Sequence, residues 1–120
     1  MSEPLNLPDA LLHILRRTIL SEIRADQPDL TLRQFAVALT IHLTDEPQTV
    51  RGLAEYLNIS KPAVTRAFDR LGELDLIQRQ MDPKDRRSVV AQRRPSGVAM
   101  LQRLRVTMME AAENRAVMPL

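Results

Sequence analysis

The chain has 120 residues, of which 44% are hydrophobic and 27% are charged, and its net charge is +2. A chain of this size and composition is expected to form one small domain, residues 1–120. The absence of cysteine excludes disulfides, thiolate metal sites and thiol redox switches. No stretch approaches the roughly 20 apolar residues that cross a membrane, so a cytoplasmic location without membrane contact is expected.

The first third of the chain contains two predicted amphipathic helices. Residues 8–24 form the first helix, whose apolar stripe comprises Leu12, Leu15, Ile19 and Ile23. Residues 31–43 form the second, which begins with Thr31 as its N-cap. Its apolar face comprises Phe35, Leu39 and Leu43. Both patterns predict helices that pack one side against another element.

Residues 49–73 have the features of two helices joined by a tight turn. Thr49 is placed to cap the first helix, and Ser60 to cap the second, with Pro62 in its first turn. Asn58 lies between them, and asparagine tolerates the left-handed backbone conformation that ends a helix abruptly. The pattern predicts a helix-turn-helix.

The second of these helices, residues 60–73, has an apolar face and a polar face. Val64, Phe68 and Leu71 recur at helical spacing and are expected to point inward. The opposite face then carries Lys61, Thr65, Arg66, Asp69 and Arg70. A helix of this kind fits the DNA major groove, where its N-terminal residues reach base edges. We therefore predict that it is a recognition helix.

A basic β-hairpin is predicted next, with strands at residues 76–81 and 88–93. The turn between them, residues 82–87, contains an Asp-Pro pair that favours a turn. Its cations are Lys84, Arg86 and Arg87. We predict that Arg87 enters the minor groove, that the other two cations contact phosphates, and that Asp85 braces a neighbouring guanidinium.

The C-terminal segment, residues 95–117, is predicted to form one more helix. Its apolar stripe comprises Leu101, Leu104, Met108 and Ala111. The alternating spacing of three and four residues is typical of a helix that packs against a partner helix. We expect a two-fold dimer built from the first and last helices. The predicted interface residues are Leu12, Leu15, Ile19, Leu101, Leu104 and Met108.

This order of elements describes a mainly α protein with a small β-hairpin: a winged helix-turn-helix with N- and C-terminal dimerisation helices. Residues 49–94 hold ten Lys or Arg and six acidic residues, whereas the rest of the chain holds seven and nine. Positive charge is thus concentrated in the predicted DNA-binding core, residues 30–94. The predicted contacts to double-stranded DNA are Thr49, Arg51, Ser60, Lys61, Pro62, Ala63, Thr65, Arg66, Arg70, Arg79, Lys84, Arg86 and Arg87.

Three segments resemble the MarR family of bacterial winged-helix transcription regulators. They are residues 53–60, the Val64-Thr65-Arg66 run with Leu71, and the Asp-Pro-Lys-Asp-Arg-Arg string at 82–87 followed by Val89-Val90. The resemblance implies a dimeric repressor of a pseudo-palindromic operator, released by a small aromatic effector. Family members commonly have a glycine before the first wing strand. This chain has Asp75 there, which we expect in the left-handed conformation.

Classes of function other than DNA binding have weaker support in the sequence. No glycine-rich phosphate loop, metal-ligand cluster or nucleophile motif is present in it, so no enzyme, metal or cofactor is expected. His13 and His42 are interpreted as ordinary helix residues. A winged helix that docks on other proteins is one alternative, although it favours an apolar patch where this chain has cations. A DNA-binding activator or accessory factor without a ligand is the other.

Overall fold

The computed structural model describes residues 6–113. Within this part of the chain, helices and strands follow in the order α1 Leu7–Arg24, α2 Leu32–Leu43, β1 Gln48–Thr49, α3 Val50–Leu57, α4 Lys61–Glu73, β2 Ile77–Asp82, β3 Asp85–Arg93 and α5 Pro95–Glu113. The predicted mainly α fold with a β-hairpin is confirmed. Residues 114–117 of the predicted last helix lie outside the described residues. None of the described helices is long and apolar enough to span a membrane.

Local side-chain hydrogen bonds explain where the first two helices begin. The Asn6 side chain accepts from the Asp9 amide at 2.9 Å, and α1 therefore starts one residue before the predicted boundary. Thr31 caps α2 as predicted, since its hydroxyl accepts from the Gln34 amide at 3.1 Å. The Gln34 side chain accepts in return from the Thr31 amide at 3.0 Å. This reciprocal pair is a capping box.

The sheet has the order β1-β3-β2 and is antiparallel. Strand β1 consists of two residues paired with β3 and was not predicted, because a segment of that length has no periodicity to read. The hairpin between β2 and β3 is tighter than predicted. Its turn is limited to Pro83 and Lys84, and β3 begins at Asp85 rather than at Ser88. Arg86 and Arg87 are consequently strand residues.

Residues 30–101 form one compact unit, which contains the helix-turn-helix and the hairpin. The largest fully buried side chains all belong to it: Phe68, Leu53, Leu71, Ile77, Val37 and Val64. The inward stripe predicted for α4 is therefore confirmed. Burying apolar side chains of this size contributes roughly 1.5–3 kcal/mol each, so the buried face of α4 is the one that holds this helix in place.

Residues 6–29 and 102–113 belong to a second compact unit. Arg103 of α5 donates to the Glu22 carboxylate of α1 at 3.2 Å and to the Gln27 side chain at 3.2 Å. The large apolar side chains that α1 leaves exposed are Leu7, Leu11, Leu12, Leu15, Ile19 and Ile23. Those that α5 leaves exposed in this unit are Val106, Met108 and Met109. Two helices of one unit thus present uncovered apolar surface.

Candidate nucleic-acid interface

The corner between α3 and α4 follows from three short-range features. Thr49 caps α3, because its hydroxyl accepts from the Gly52 amide at 2.9 Å. Asn58 ends the helix in the left-handed conformation, with φ of 55°. The Ile59 amide then donates to the Ala54 carbonyl at 3.1 Å, which closes the turn. The predicted helix-turn-helix is confirmed at each of these positions.

Helix α4 presents a polar, exposed face at its N-terminal half. Ser60 caps it, with its hydroxyl accepting from the Ala63 amide at 3.2 Å. Lys61, Thr65 and Arg66 are exposed, as predicted for residues that read base edges. Arg70, one turn further along, is half-buried and lies 3.6 Å from the Glu73 carboxylate. The first two turns of α4 are therefore its free surface.

The hairpin is shaped by its two aspartates. The Asp82 carboxylate accepts from the Lys84 amide at 2.9 Å, which holds the two-residue turn. The Asp85 carboxylate accepts from the Arg87 amide at 3.0 Å and from the Ser88 hydroxyl at 3.3 Å. Within the described residues it has no guanidinium partner, so the predicted brace is wrong. Asp85 instead shapes the backbone from which the arginines project.

The hairpin is irregular where its two arginines lie. The regular register of β2 and β3 ends at Met81 opposite Val89, and Asp82 then lies opposite Asp85. This shift leaves residues 86–88 without regular partners, so strict alternation of side chains does not hold there. Arg86 and Arg87 are both exposed. Further along β2, the Arg79 side chain reaches α4.

The basic residues of the helix-turn-helix and hairpin divide into two groups. Six exposed cations have no side-chain hydrogen bond or ion pair among residues 6–113: Arg51, Lys61, Arg66, Lys84, Arg86 and Arg87. The other four, Arg70, Arg79, Arg93 and Arg94, contact protein acceptors. The first group comprises the cations that can bind a polyanion without giving up a protein contact.

Arg93 and Arg94 have structural partners that lie far away in the sequence. The Arg93 guanidinium donates to the Ile41 carbonyl at 3.1 Å and to the Thr44 carbonyl, so it satisfies the C-terminal end of α2. Arg94 donates to the Asp75 carboxylate at 3.1 Å. Asp75 has φ of 58°, which confirms the left-handed conformation expected there. No local sequence pattern indicates these pairs, because the partners are 52 and 19 residues apart in the sequence.

His42 is a buried contact between α2 and the start of the hairpin. Its Nε2 lies 3.0 Å from the Leu76 carbonyl oxygen, so the neutral ring donates from that nitrogen. Gly97 at the start of α5 makes room for the ring, since a Cβ there would lie 2.3 Å from Nε2. Burial lowers the pKa of His42 below its ordinary value of 6.5, and nearby Arg93 lowers it further, against the opposing effect of the Leu76 hydrogen bond. The interpretation of His42 as a non-ligand helix residue agrees with these contacts.

Stability is expected to fall in mild acid because of His42. Its pKa is lower in the folded state than the unfolded value near 6.5, so the unfolded state binds the proton more readily. The contribution is fully present above about pH 6.5 and is lost as the pH falls toward the folded pKa. Urea unfolding at about pH 7.5 and pH 5.5 measures this, with His42→Gln as the control because glutamine can still donate to Leu76. Equal losses in the two proteins would show that another group is responsible.

A capped helix with a free polar face, entered through a tight corner and followed by a basic hairpin, defines a winged helix-turn-helix of the DNA-binding class. The MarR family model matches residues 29–88, which is half of the chain. The chain belongs to the MarR family, and it is a DNA-binding transcriptional regulator. No curated relative matches it.

Solved structures have the same fold. RV1404 from Mycobacterium tuberculosis is 25% identical, with a TM-score of 0.71 over 94% of this chain and 79% of that one. The transcriptional regulator Tm0710 from Thermotoga maritima is 22% identical, with a TM-score of 0.71 over 92% and 72%. A mutant of MepR from S. aureus, bound to an oligodeoxyribonucleotide, is 17% identical, with a TM-score of 0.73 over 89% and 76%. The likeness covers nearly the whole described chain.

Proposed function

We propose that the protein is a dimeric repressor that reads a pseudo-palindromic operator in the cytoplasm and has no catalytic activity. The recognition helix, residues 60–73, occupies the major groove, and the wing, residues 82–87, occupies the minor groove. Arg79 is left out of the predicted set, because its guanidinium bonds to α4. The proposed DNA contacts are Thr49, Arg51, Ser60, Lys61, Pro62, Ala63, Thr65, Arg66, Arg70, Lys84, Arg86 and Arg87. The assignment of residues 1–120 to one domain stays a prediction.

One observation carries this proposal: of the six helix-turn-helix and hairpin cations that have no protein partner within residues 6–113, five lie on α4 or the hairpin, the two elements that enter the grooves in this fold. Lys61 and Arg66 are exposed on the first two turns of α4, the part of a recognition helix that reaches base edges. The amides at the capped starts of α3 and α4 are natural partners for phosphate oxygens. Helix α4 thus buries Phe68 on one face and leaves the opposite face, with Lys61 and Arg66, exposed.

The wing is proposed to use its cations unequally. Arg87 belongs to β3, which pairs with β2, and Arg79 of β2 contacts α4. An exposed arginine near the hairpin tip can enter a narrow minor groove, where the negative potential is enhanced. Lys84 at the turn and the neighbouring Arg86 are proposed to contact phosphates.

A homodimer is proposed because of the apolar surface that α1 and α5 leave exposed. Leu12, Leu15 and Ile19 are exposed by 62%, 52% and 46%, and Met108 by 45%, so these four predicted interface residues are available to a second copy. Leu101 and Leu104 are buried within the single chain. A monomer rarely leaves contiguous apolar surface of this kind uncovered. We therefore assign the interface to the exposed residues and interior packing to the buried ones.

A small aromatic effector is also proposed. An open cavity of about 440 Å³ beside the recognition helix is lined by Phe68, Arg79 and Arg94, among others. Its volume is within the range of small-molecule sites, and its lining includes two cations. Both guanidinium groups are paired with carboxylates, Asp69 and Asp75, with which an anionic aromatic compound would compete.

The proposed function is tested by titrating the protein against DNA from upstream of its own gene and against a scrambled duplex, following fluorescence anisotropy at several salt concentrations. We expect tighter binding to the upstream DNA that persists near physiological salt. Weak binding that is equal for both duplexes and erased by salt would contradict a sequence-specific repressor, because that behaviour reflects phosphate contacts alone.

A further inference from the structure

Arg79 connects the wing to the recognition helix. It belongs to β2, yet its guanidinium donates to the Thr65 carbonyl at 3.0 Å and pairs with the Asp69 carboxylate. Thr65 and Asp69 lie one turn apart on α4, so a single guanidinium bridges two successive turns of that helix. We call this contact set the Arg79 brace.

The Arg79 brace contributes little to the free energy of unfolding, but it joins two elements that are proposed to bind DNA. The Arg79 and Asp69 side chains are 42% and 55% exposed, and ion pairs at such positions add little to the free energy of unfolding. The Thr65 carbonyl, however, belongs to the turn that carries the exposed side chains of Thr65 and Arg66. At its other end, Arg79 pairs across the hairpin with Ala91, on the strand that also carries Arg87. The brace therefore joins the element proposed for one groove to the element proposed for the other.

The charge of Arg79 is already neutralised by Asp69. A cation that releases counterions from DNA needs a phosphate partner, whereas the Arg79 guanidinium is directed to protein acceptors on α4. Arginine suits this bridging role because its planar fork offers several donors in fixed directions, which lysine lacks. Arg79 thus differs from Arg66 and Arg87, which have no side-chain partner within residues 6–113.

We infer that Arg79 is a positioning residue for DNA binding, which acts through Asp69 and Thr65 to hold the recognition helix and the wing at a set separation, and that it is not a phosphate contact. This inference rests on the proposed function. Holding both elements in their bound arrangement before DNA arrives lowers the ordering cost of binding. Without the Arg79 brace, the wing would have to become ordered in the minor groove during binding, while α4 occupies the major groove.

Asp69→Asn distinguishes the two roles of Arg79. Removing a negative charge from a DNA-facing helix strengthens binding if charge alone matters. If Asp69 holds the brace, the same substitution weakens operator binding by about three- to fivefold. Glu73→Gln is the matched control, because Glu73 is also an α4 carboxylate paired with an arginine, but that pair lies within the helix. We expect Glu73→Gln to leave affinity unchanged or to raise it.

The full experiment measures the dissociation constant and its salt dependence for five proteins: wild type, Asp69→Asn, Arg79→Gln, Arg79→Lys and the Asp69→Asn/Arg79→Gln double variant. We expect each single variant to weaken binding, the double variant to bind no worse than Arg79→Gln, and the salt slopes to match wild type. Circular dichroism and the melting temperature show whether each variant is folded, and the small stability contribution of an exposed pair leaves both unchanged.

Two results overturn the inference. In one, Arg79→Gln lowers the salt slope by about one unit and Arg79→Lys restores it, which is the behaviour of a phosphate contact. In the other, Asp69→Asn binds the operator as tightly as wild type or more tightly. If wild type itself shows no preference for the upstream DNA, the proposed function fails instead, and this outcome is recognised before any variant is compared.

Discussion

Leu15→Glu is expected to convert the dimer into a monomer and to weaken operator binding by about a hundredfold or more. Leu15 lies on the exposed apolar face of α1 and is 52% exposed in the single chain, so a glutamate there stays solvated in the monomer. In the dimer the carboxylate would be buried against apolar surface, which is costly without a partner. Losing the second half-site removes the gain from two linked contacts, roughly 10²–10⁴-fold. Sedimentation velocity and anisotropy measure the two effects.

Leu32→Glu is the matched control for this change. Leu32 is an equally apolar residue and is 88% exposed, but it lies at the first position of α2, outside the proposed interface. An acid at a helix N-terminus is favourable, so this variant is expected to fold, dimerise and bind DNA as wild type does. Leu104→Glu is a poor test, since Leu104 is buried in the single chain and a charge there unfolds the protomer. A Leu15→Glu protein that remains dimeric in sedimentation would place the interface elsewhere.

Arg66→Ala is expected to weaken binding to the cognate operator by about 1–3 kcal/mol, or roughly 5- to 150-fold, and to relax the preference for the bases beneath it. Arg66 projects from the second turn of α4, is exposed, and has no side-chain partner within the described residues. Removing the Arg66 side chain leaves the capped start of α4 intact, because the cap is the hydrogen bond that the Ala63 amide donates to the Ser60 hydroxyl. Dissociation constants for the operator and for single-base variants of it measure the loss.

Lys84→Ala provides the comparison for a cation that contacts phosphate. It is expected to lower affinity by a similar factor for all duplexes and to reduce the salt slope by about one unit, with no change in base preference. Arg66→Ala differs in that its loss depends on the sequence of the duplex. If the two variants behave alike on every sequence, Arg66 contacts the backbone and α4 reads bases through other residues.

The proposed base reading and the proposed dimerisation involve different parts of the molecule. The proposed reading surface belongs to residues 30–101, where the core that contains Phe68 and Leu71 fixes which face of α4 is outward. The proposed dimer interface belongs to the unit that contains α1 and the second part of α5. Because the substitutions lie in separate compact units, their effects on folding are expected to be independent. Both are expected to affect operator binding, since the proposed pseudo-palindrome would be read by two copies at once.

The amino-acid sequence by itself determined the helices, their caps and the corner. Thr31, Thr49 and Ser60 cap helices in the structure as their positions predicted, and Asn58 and Asp75 adopt the left-handed conformation. These features depend on hydrogen bonds and steric limits within four residues, so the sequence alone contains the information. The inward face of α4 was predictable for the same reason, because helical periodicity is local.

Only the tertiary structure decided which cations are free. Arg79, Arg93 and Arg94 look in the sequence like further parts of a basic surface, yet each is bonded to a residue that is distant in the sequence. The sequence also did not predict three further features: the burial of Leu101 and Leu104, the two-residue strand β1 and the tight turn at Pro83. Such features depend on which segments meet after folding. A side chain's partners across the fold are set by packing geometry that no local pattern encodes.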